Sequence, residues 1–581
     1  MSEPQWLSWD QDPLERAERE DKIVLLFLGP AWCRYTREMR ETTFRNPKVQ
    51  AALERDFVPV LVDADRRPDL DSRYNMGGWP SIAFLSPSGE LIAGENFLGP
   101  QELLGLFQKV RDYWRKNRED IEGGRSPMYW KPRRQVEPHG KRLSQELVDD
   151  VVASMLDKFD HRHGGWGETQ KFAHCESLDF ALVQYAKTGD ARLAEVVRLT
   201  LTRMMEGGIH DTVDGGFFRF STTPDWRIPH FEKVLDSNAL RLACYLEAYQ
   251  VFGDEGYRAT AEGIVRWMTE VMGDAATGGF YGSQGDDPSY YRLDKERRRS
   301  ATPPRQDRTI YTNWNAIAVV SLLKASVVLE QPELQRVAMK ALGFLLRSLY
   351  SAREGAYHYW DGTYHLPGLL SDQAYMIRAL VAASQATGDA DLLLPAERLA
   401  DRLLETHRAP GGGFFDLPES VRSRGALRKR NRSILENAVL AEALTRLAYL
   451  SHQEKYRSVA LETLVAFTND YREYGHFVAG YARAVDLFLY EPLVVTIVGD
   501  RDSGLAQALR RAAMRTYVPS RMVQTLDPAH DPVLLGRSGL EPSARPRAWL
   551  SLAGEPRGVF EDPDELALRM EEVERDRRKP R

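Results

Sequence analysis

The strongest constraint on this chain's fold is an internal repeat. The pattern Asp-x-x-x-Gly-Gly-aromatic stands at Asp160/Gly164-Gly165-Trp166, Asp211/Gly215-Gly216-Phe217 and Asp274/Gly278-Gly279-Phe280. It returns in reduced form at Gly412-Gly413-Phe414-Phe415-Asp416 and loosely at Gly355-Ala356-Tyr357. A second punctuation alternates with it: Thr188-Gly189-Asp190, Phe252-Gly253-Asp254, Gln331-Pro332-Glu333, Thr387-Gly388-Asp389 and His452-Gln453-Glu454 each end one helical pattern and open the next. Between these marks, apolar residues recur with a helical period, predicting pairs at 147–159 with 178–185, 193–205 with 238–250, 257–272 with 315–329, 334–350 with 373–385, 394–406 with 438–451, and 456–467 with 478–489. Six hairpins, with tight connections at one end and long loops at the other, predict a closed (α/α)6 toroid whose long loops form a funnel. An open solenoid would need polar capping repeats, and neither end of the repeat region carries one.

The flanks read differently. Residues 1–116 alternate strand and helix signals: an apolar run at 23–28, a second at 57–62, the segment Gly78-Trp79-Pro80-Ser81 before a third strand at 82–85, a turn, a fourth strand at 91–94 and a closing helix at 101–114. This predicts a compact α/β domain. A linker is expected over 117–140, the barrel over 141–489, a small C-terminal α/β element over 490–560 and a charged tail, read as a solvated frayed helix, over 561–581. With 78 basic and 84 acidic residues, the net charge of −6 gives no reason to expect a nucleic-acid partner. The basic stretches 295–299 and 422–432 are expected to be solvated loop segments. Only three cysteines occur, Cys33, Cys175 and Cys244, too few for a disulfide framework, and no apolar stretch reaches the roughly 20 residues of a membrane helix. Without a basic start followed by an apolar run at the N-terminus, a cytoplasmic location and no membrane partner are expected.

Cys33 in Trp32-Cys33-Arg34-Tyr35-Thr36 follows a buried strand and opens a helix, where free amide groups and the helix dipole stabilise a thiolate. This is the thioredoxin arrangement, and Gly78-Trp79-Pro80 takes the place of its cis-proline loop. The position of the second cysteine is Thr36, so dithiol cycling is unavailable and a monothiol role remains for Cys33.

From Trp9 to at least Gly499 the chain resembles a family that joins an N-terminal thioredoxin-like domain to a six-hairpin glycosidase-like barrel, including the spermatogenesis-associated thioredoxin-like protein of animals and bacterial homologues of unknown function. The resemblance rests on Arg19-Glu20-Asp21-Lys22, residues 57–63 with Arg66-Arg67-Pro68-Asp69, Gly78-Trp79-Pro80, Gly207-Gly208-Ile209-x-Asp211, Gly215-Gly216-Phe217-x-Arg219-Phe220-Ser221 and, above all, Pro229-His230-Phe231-Glu232-Lys233. It implies a barrel related to glycoside hydrolases and N-acylglucosamine 2-epimerases, with a carbohydrate or similar polar ligand in the funnel. Several polar positions depart from the family pattern: Cys33-Arg34-Tyr35-Thr36, Asp236-Ser237-Asn238-Ala239, Leu370-Ser371-Asp372-Gln373-Ala374 and Ile434-Leu435-Glu436-Asn437.

Within the barrel, His230, Glu232 and Asp236 fall at the entry of one helix, with Glu232 and Asp236 four apart on one face. Glu232 with Asp372 is a candidate carboxyl pair for glycoside hydrolysis, and His230 is a candidate proton-transfer base for epimerisation. Asp211, Arg219, Trp226, Asp236, Asn238, Trp314, Asn315 and Asn437 are candidate ligand-binding residues, with the aromatics Trp166, Phe217, Tyr281, Trp360 and Phe415 available for stacking. No metal site and no cofactor are expected, because HExxH, P-loop and GxGxxG patterns are missing from the sequence. Three functions stay open: a carbohydrate-binding or carbohydrate-active barrel, a monothiol redox protein whose barrel recognises a client, and an inactive scaffold. Oligomeric state is not readable.

Overall fold

The strand β1 (Ile23–Leu28) is buried at every position, and this double-sided burial organises the first unit. Ile23, Leu25 and Phe27 point into one core with α2 (Arg34–Glu41), α3 (Pro47–Asp56) and α5 (Pro100–Glu122). Val24, Leu26 and Leu28 point into the other, with α1 (Pro13–Glu20) and α4 (Pro68–Tyr74). The sheet order is β2 (Phe57–Val62), β1, β3 (Ser81–Leu85), β4 (Leu91–Glu95), with β1 parallel to β2 and the other pairs antiparallel. The computed structural model describes residues 3–123, 142–419 and 423–578. Helix α5 runs past the expected boundary at 116, and the expected linker lies, from residue 124 on, outside the described residues.

The segment 423–431 belongs to this unit although it falls between two barrel helices in sequence. Arg73 donates to the carbonyls of Ala426 and Lys429, and the Tyr74 hydroxyl accepts from the Ala426 N–H. The expectation of a solvated basic loop is corrected here, because Ala426 and Leu427 supply an apolar anchor among the charges.

The described residues 142–416 and 432–578 form the second unit. Among them are six outer helices, α6 (Gln145–Asp157), α8 (Ala191–Glu206), α10 (Glu255–Arg266), α14 (Pro332–Ser348), α16 (Leu393–Thr406) and α18 (Glu454–Val465). Six inner helices pair with them: α7 (Cys175–Thr188), α9 (Leu235–Phe252), α13 (Thr312–Val328), α15 (Leu370–Thr387), α17 (Ile434–Ser451) and α19 (Ala479–Leu489). Short helices α11 (Pro288–Tyr291) and α12 (Lys295–Ser300) lie in the loop before α13. The inner helices neighbour one another in chain order and α19 returns to α7, so the ring is closed. Outer α8 buries Leu193, Val196, Val197, Thr200, Leu201 and Met204, a single stripe at helical spacing, whereas α13 is buried all round. Tight turns leave the inner helices: Gly189 takes a left-handed cap (φ 72°) and Asp190 at once caps the next helix through the Arg192 N–H.

Long loops enter the inner helices, and a carboxamide one turn inside the helix grips each of four of them. Asn238 accepts from the Phe217 N–H (2.6 Å) and donates to the Phe217 and Val234 carbonyls (both 3.0 Å). Asn315 repeats this on Phe280 and Tyr311, Gln373 on Ala356 and Leu369, and Asn437 on Phe414 and Ser433. The gripped residue follows the glycine turn. In the second turn, Asp211 Oδ1 accepts from the Val213 and Asp214 N–H groups, and a Cβ on Gly215 would lie 2.0 Å from the Gly263 carbonyl oxygen.

Beyond α19 the chain forms another four-stranded sheet. The loops of the barrel carry short strands β5 (Phe220–Ser221), β6 (Pro229–His230), β7 (Lys233–Val234), β8 (Ser283–Gln284), β9 (Gln306–Asp307), β10 (Ile310–Tyr311), β11 (Tyr350–Ser351), β12 (Gly355–Trp360) and β13 (Tyr364–Pro367). The C-terminal sheet follows with β14 (Leu493–Val498), β15 (Met522–Leu526), β16 (Arg547–Leu552) and β17 (Glu555–Phe560), in the order β15-β14-β16-β17. With α20 (Gly504–Arg515), α21 (Pro532–Ser538) and α22 (Pro563–Asp576), it has the strand order and pairing directions of the N-terminal sheet. Leu28 pairs with Val62 and Ser81 as Val498 pairs with Leu526 and Arg547. The tail is not the frayed helix expected, because α22 buries Leu566, Met570 and Val573 in this core. The element closes one end of the barrel: Arg510 donates to Ala386 O, Gln385 accepts from the Val523 N–H, and Arg483 donates to Pro519 O.

Replacing Asn315 by Ala leaves a buried N–H and two carbonyls unpaired, so a loss of about 2–4 kcal/mol is expected in denaturant unfolding. Asn315→Asp keeps the acceptor but sets a carboxyl oxygen against the Phe280 and Tyr311 carbonyls where the amide donated, so at pH 7 it is expected to lose at least as much as Asn315→Ala.

Candidate functional site

The segment Pro229-His230-Phe231-Glu232-Lys233 turns its residues alternately to two sides. His230 Nδ1 and Glu232 Oε2 are 2.6 Å apart. The other side carries Phe231, parallel to Tyr291 with centroids 5.9 Å apart, and Lys233, whose ammonium donates to Asp211 and to the Gly215 carbonyl. The His230 ring stacks on Phe220 (4.8 Å), which stacks on Phe172 (4.7 Å), with the Arg219 guanidinium over both phenyl rings. A stack on one face and a carboxylate at Nδ1 fix the imidazole in place and set its tautomer. Glu232 is fully buried, and its Oε1 has no hydrogen-bond partner among the described residues.

The inner helices add a ring of charge below. Burial pushes the Asp236 carboxyl up from the ordinary range, against Ser237, Arg241 and Arg219. Burial also pushes Glu176 up, with Asp236 and Asp179 adding to it and Arg378 opposing. Water reaches the Glu176 side chain although protein surrounds it, as in a pit. Tyr375 lies within electrostatic range of Glu176, Arg378, Asp236 and Glu436, and burial first, then these carboxylates, raises its hydroxyl pKa. Four inner helices thus converge on one axial site. Arg241, 3 % exposed, donates to Arg219 O, while its Nε and Nη1 find no partner among the described residues. Two neighbouring carboxyls that both resist ionisation hold a proton where an ordinary carboxylate has lost it.

His230, Glu232, Asp236 and Arg219 therefore come together. Trp314 is half-buried at the start of α13, tilted against Tyr311 at 4.5 Å. The other expectations are corrected. Asn238, Asn315 and Asn437 have both amide atoms committed to the loop grips described above, which leaves none for a ligand. Trp226 is fully buried with Nε1 on the His163 carbonyl, and Trp166 and Phe217 are core residues too, since the glycine turns aim their aromatics inward. Asp211 is 3 % exposed and holds Lys233 and Arg298. That Arg298 is 6 % exposed and also paired to Asp214 corrects the reading of 295–299 as solvated. Asp372 is fully buried, with its oxygens on His358 Nδ1 (2.9 and 3.1 Å) and the Asn313 N–H (3.2 Å), so the Glu232/Asp372 pair does not present two available carboxyls.

In the other unit, Cys33 caps α2 and is 5 % exposed, its Sγ 3.9 Å from the carbonyl of Trp79, which precedes a cis Pro80. Thr36 Oγ1 is buried with no partner among the described residues. Sequence reasoning missed Glu176, Tyr375 and Arg378, which carry no motif and are defined only by their inward position on neighbouring helices. It also missed that Cys175 and Cys244 meet: the Cys244 thiol donates to the Cys175 carbonyl (3.5 Å), and its contact with the Cys175 thiol, then burial, pushes its pKa up. Among the described residues no group of three metal-ligating side chains occurs, and no helix is long and apolar enough to cross a membrane.

Residues 2–129 match the model of a thioredoxin-like family described as proteins of unknown function, DUF255. The chain is similar to spermatogenesis-associated protein 20. The human protein is 24 % identical over 90 % of this chain and 83 % of its own length, and the rat protein is 30 % identical over 48 % of this chain and 38 % of its own length. The resemblance read from the motifs is thereby shown. A solved structure similar to part of the chain is cellobiose 2-epimerase from Spirochaeta thermophila, 15 % identical, with a TM-score of 0.48 over 60 % of this chain and 96 % of that one. Another is an unsaturated glucuronyl hydrolase from a Bacillus species, 16 % identical, with a TM-score of 0.45 over 59 % of this chain and 96 % of that one.

A carboxyl with a raised native pKa makes the folded state bind more protons than the unfolded one, so its contribution to stability falls as pH rises from the unfolded pKa through the native one. Asp236→Asn removes that loss. The variant is expected to melt higher than the parent at pH 7, with the difference shrinking at pH 4.

Proposed function

We propose that the mouth of the barrel binds a carbohydrate-like ligand and that His230, held by Glu232, moves a proton on it. The observation that carries this reading is the His230–Glu232 contact of 2.6 Å beside the stack on Phe220. A carboxylate at Nδ1 holds the imidazole in one tautomer and orientation and faces the positive charge that forms when Nε2 accepts a proton. The carboxyls of Glu176 and Asp236, with raised pKa values, supply a second proton site, while Arg219, Tyr375 and Arg378 offer donors for hydroxyl or carbonyl oxygens. This inventory, together with the family resemblance, favours proton transfer at a sugar carbon. Hydrolysis has less support, since Asp372 is occupied by His358 and Asn313. A monothiol function through Cys33 also has less support, given its burial behind Trp32 and Trp79.

The test is to incubate the full chain with free aldoses and N-acyl hexosamines in heavy water and follow the hydrogen at carbon 2 by NMR. Exchange is expected with at least one sugar. His230→Asn is expected to reduce it by 100-fold or more, in line with the roughly 10²–10⁴-fold contribution of general acid–base groups. No exchange and no thermal stabilisation by any sugar would overturn the reading.

A further inference from the structure

Deeper along the barrel axis lies a cavity of about 170 Å³, more than ten times the ~10–15 Å³ one water needs. Its sides are inner helices, and its floor is formed by residues of the C-terminal element between Met514 and Arg521. Three cation–carboxylate pairs line it: Lys324 with Glu247, Arg446 with Glu442 at 3.1 Å, and Arg483 with Asp179 at 3.5 Å. Two further guanidiniums line the same space without a carboxylate of their own. Arg521 donates only to the carbonyls of Ala513 and Thr516. Arg378 makes no hydrogen bond or ion pair with any described residue. The Tyr517 hydroxyl, on the same wall, is buried without a partner among the described residues.

A buried cavity with two surplus positive charges and an unused hydroxyl donor is built for an anion, because unpaired charge is costly away from bulk water. Guanidinium forks match the oxygens of tetrahedral oxyanions two at a time. We propose that this cavity binds a phosphate group, with Arg378 as its principal partner and Arg521 and Tyr517 completing the site. The ligand is inorganic phosphate or the phosphate of a phosphorylated molecule entering from the funnel. The cavity shares Arg378 with the proton-transfer reading above, whereas Arg521 and Tyr517 line the cavity alone, so the Tyr517 variant and the His230 variant test the two readings separately.

The electrostatics of the surroundings agree. Burial pushes the Lys324 ammonium down to about 7 against the pull of Asp179, with Arg521 and Arg378 adding to the push. Burial and Arg446 push Arg521 down to about 10, while Glu442 is held at about 2 against burial by Arg446, Arg378 and Arg483. Lowering pH through 7 completes the charge on Lys324 while Glu442 stays ionised, so anion affinity rises as pH falls.

The test uses the full chain, calorimetric titration and thermal melts at constant ionic strength set with chloride. Inorganic phosphate is expected to bind and raise the melting temperature, with Arg378→Met binding at least tenfold more weakly and Tyr517→Phe a few-fold more weakly. Sulfate, whose charge is fixed between pH 6 and 8, is expected to bind more tightly at pH 6. Arg378→Met is also expected to melt higher than the parent without anion, since the unpaired charge is gone; a purely structural arginine would lower it. Glucose 6-phosphate separates the sources: affinity well above that of phosphate supports a ligand reaching in from the funnel, and equal affinity supports free phosphate. If neither phosphate nor sulfate stabilises beyond chloride, or if Arg378→Met binds as the parent does, the proposal is overturned.

Discussion

A carboxamide one turn into an inner helix, bonded to the N–H and C=O of a residue in the loop ahead of it, is the contact on which the barrel depends. The long loops would otherwise carry buried backbone groups that no regular element satisfies. Asn238, Asn315, Gln373 and Asn437 each meet that need and in the same step fix where a loop ends and a helix begins. Because the β5–β6 strand pair belongs to one of these gripped loops, the position of His230 against Phe220 is inherited from the same device. The site is precise because its scaffold leaves the loops little freedom.

The interior of the ring is not an apolar core throughout. Outer helices bury one stripe each, and the spaces between inner and outer helices are filled in the ordinary way. Along the axis, inner helices instead present carboxylates, guanidiniums and a lysine, from Glu176 and Asp236 at the mouth to Arg446 and Arg521 near the floor. A protein selected for stability alone gains little from buried ionic groups, which hydrophobic residues of similar volume often replace without loss. Their concentration along one line gives the ring a polar axis inside an apolar wall.

The sequence was most legible where local physics and pattern agree. The helical pairs, the glycine-marked turns and the run 493–498, which is the strand β14, follow from periodicity and turn chemistry alone. The roles of asparagines were misread because a polar residue near a helix start looks the same whether it faces a ligand or a loop; only the repeated Asn-Ala or Gln-Ala spacing behind each glycine turn, at 238–239, 315–316, 373–374 and 437–438, pointed to a structural duty. Arg298 looked solvated within a run of charges, yet the two carboxylates it needed, Asp211 and Asp214, lie more than eighty positions away in sequence. The C-terminal element hid its likeness to the N-terminal sheet for another reason: strand order is a property of pairing, and pairing leaves no trace in a short run of valines.

Four of the six inner helices carry the carboxamide grip; α7 and α19, which touch each other, show none among the described residues. Their junction is instead fastened by side chains, with Lys187 on Asp486, Arg483 on Asp179, and the Ser177 hydroxyl on the His476 carbonyl. The Lys187–Asp486 partners are 299 positions apart. A contact between such distant residues forms only after the intervening hairpins have shortened the path between them. The ring therefore has a zip line as well as a circumference: a growing chain exposes the open edge of α7, with its buried-to-be lysine, until the last hairpin arrives to cover it.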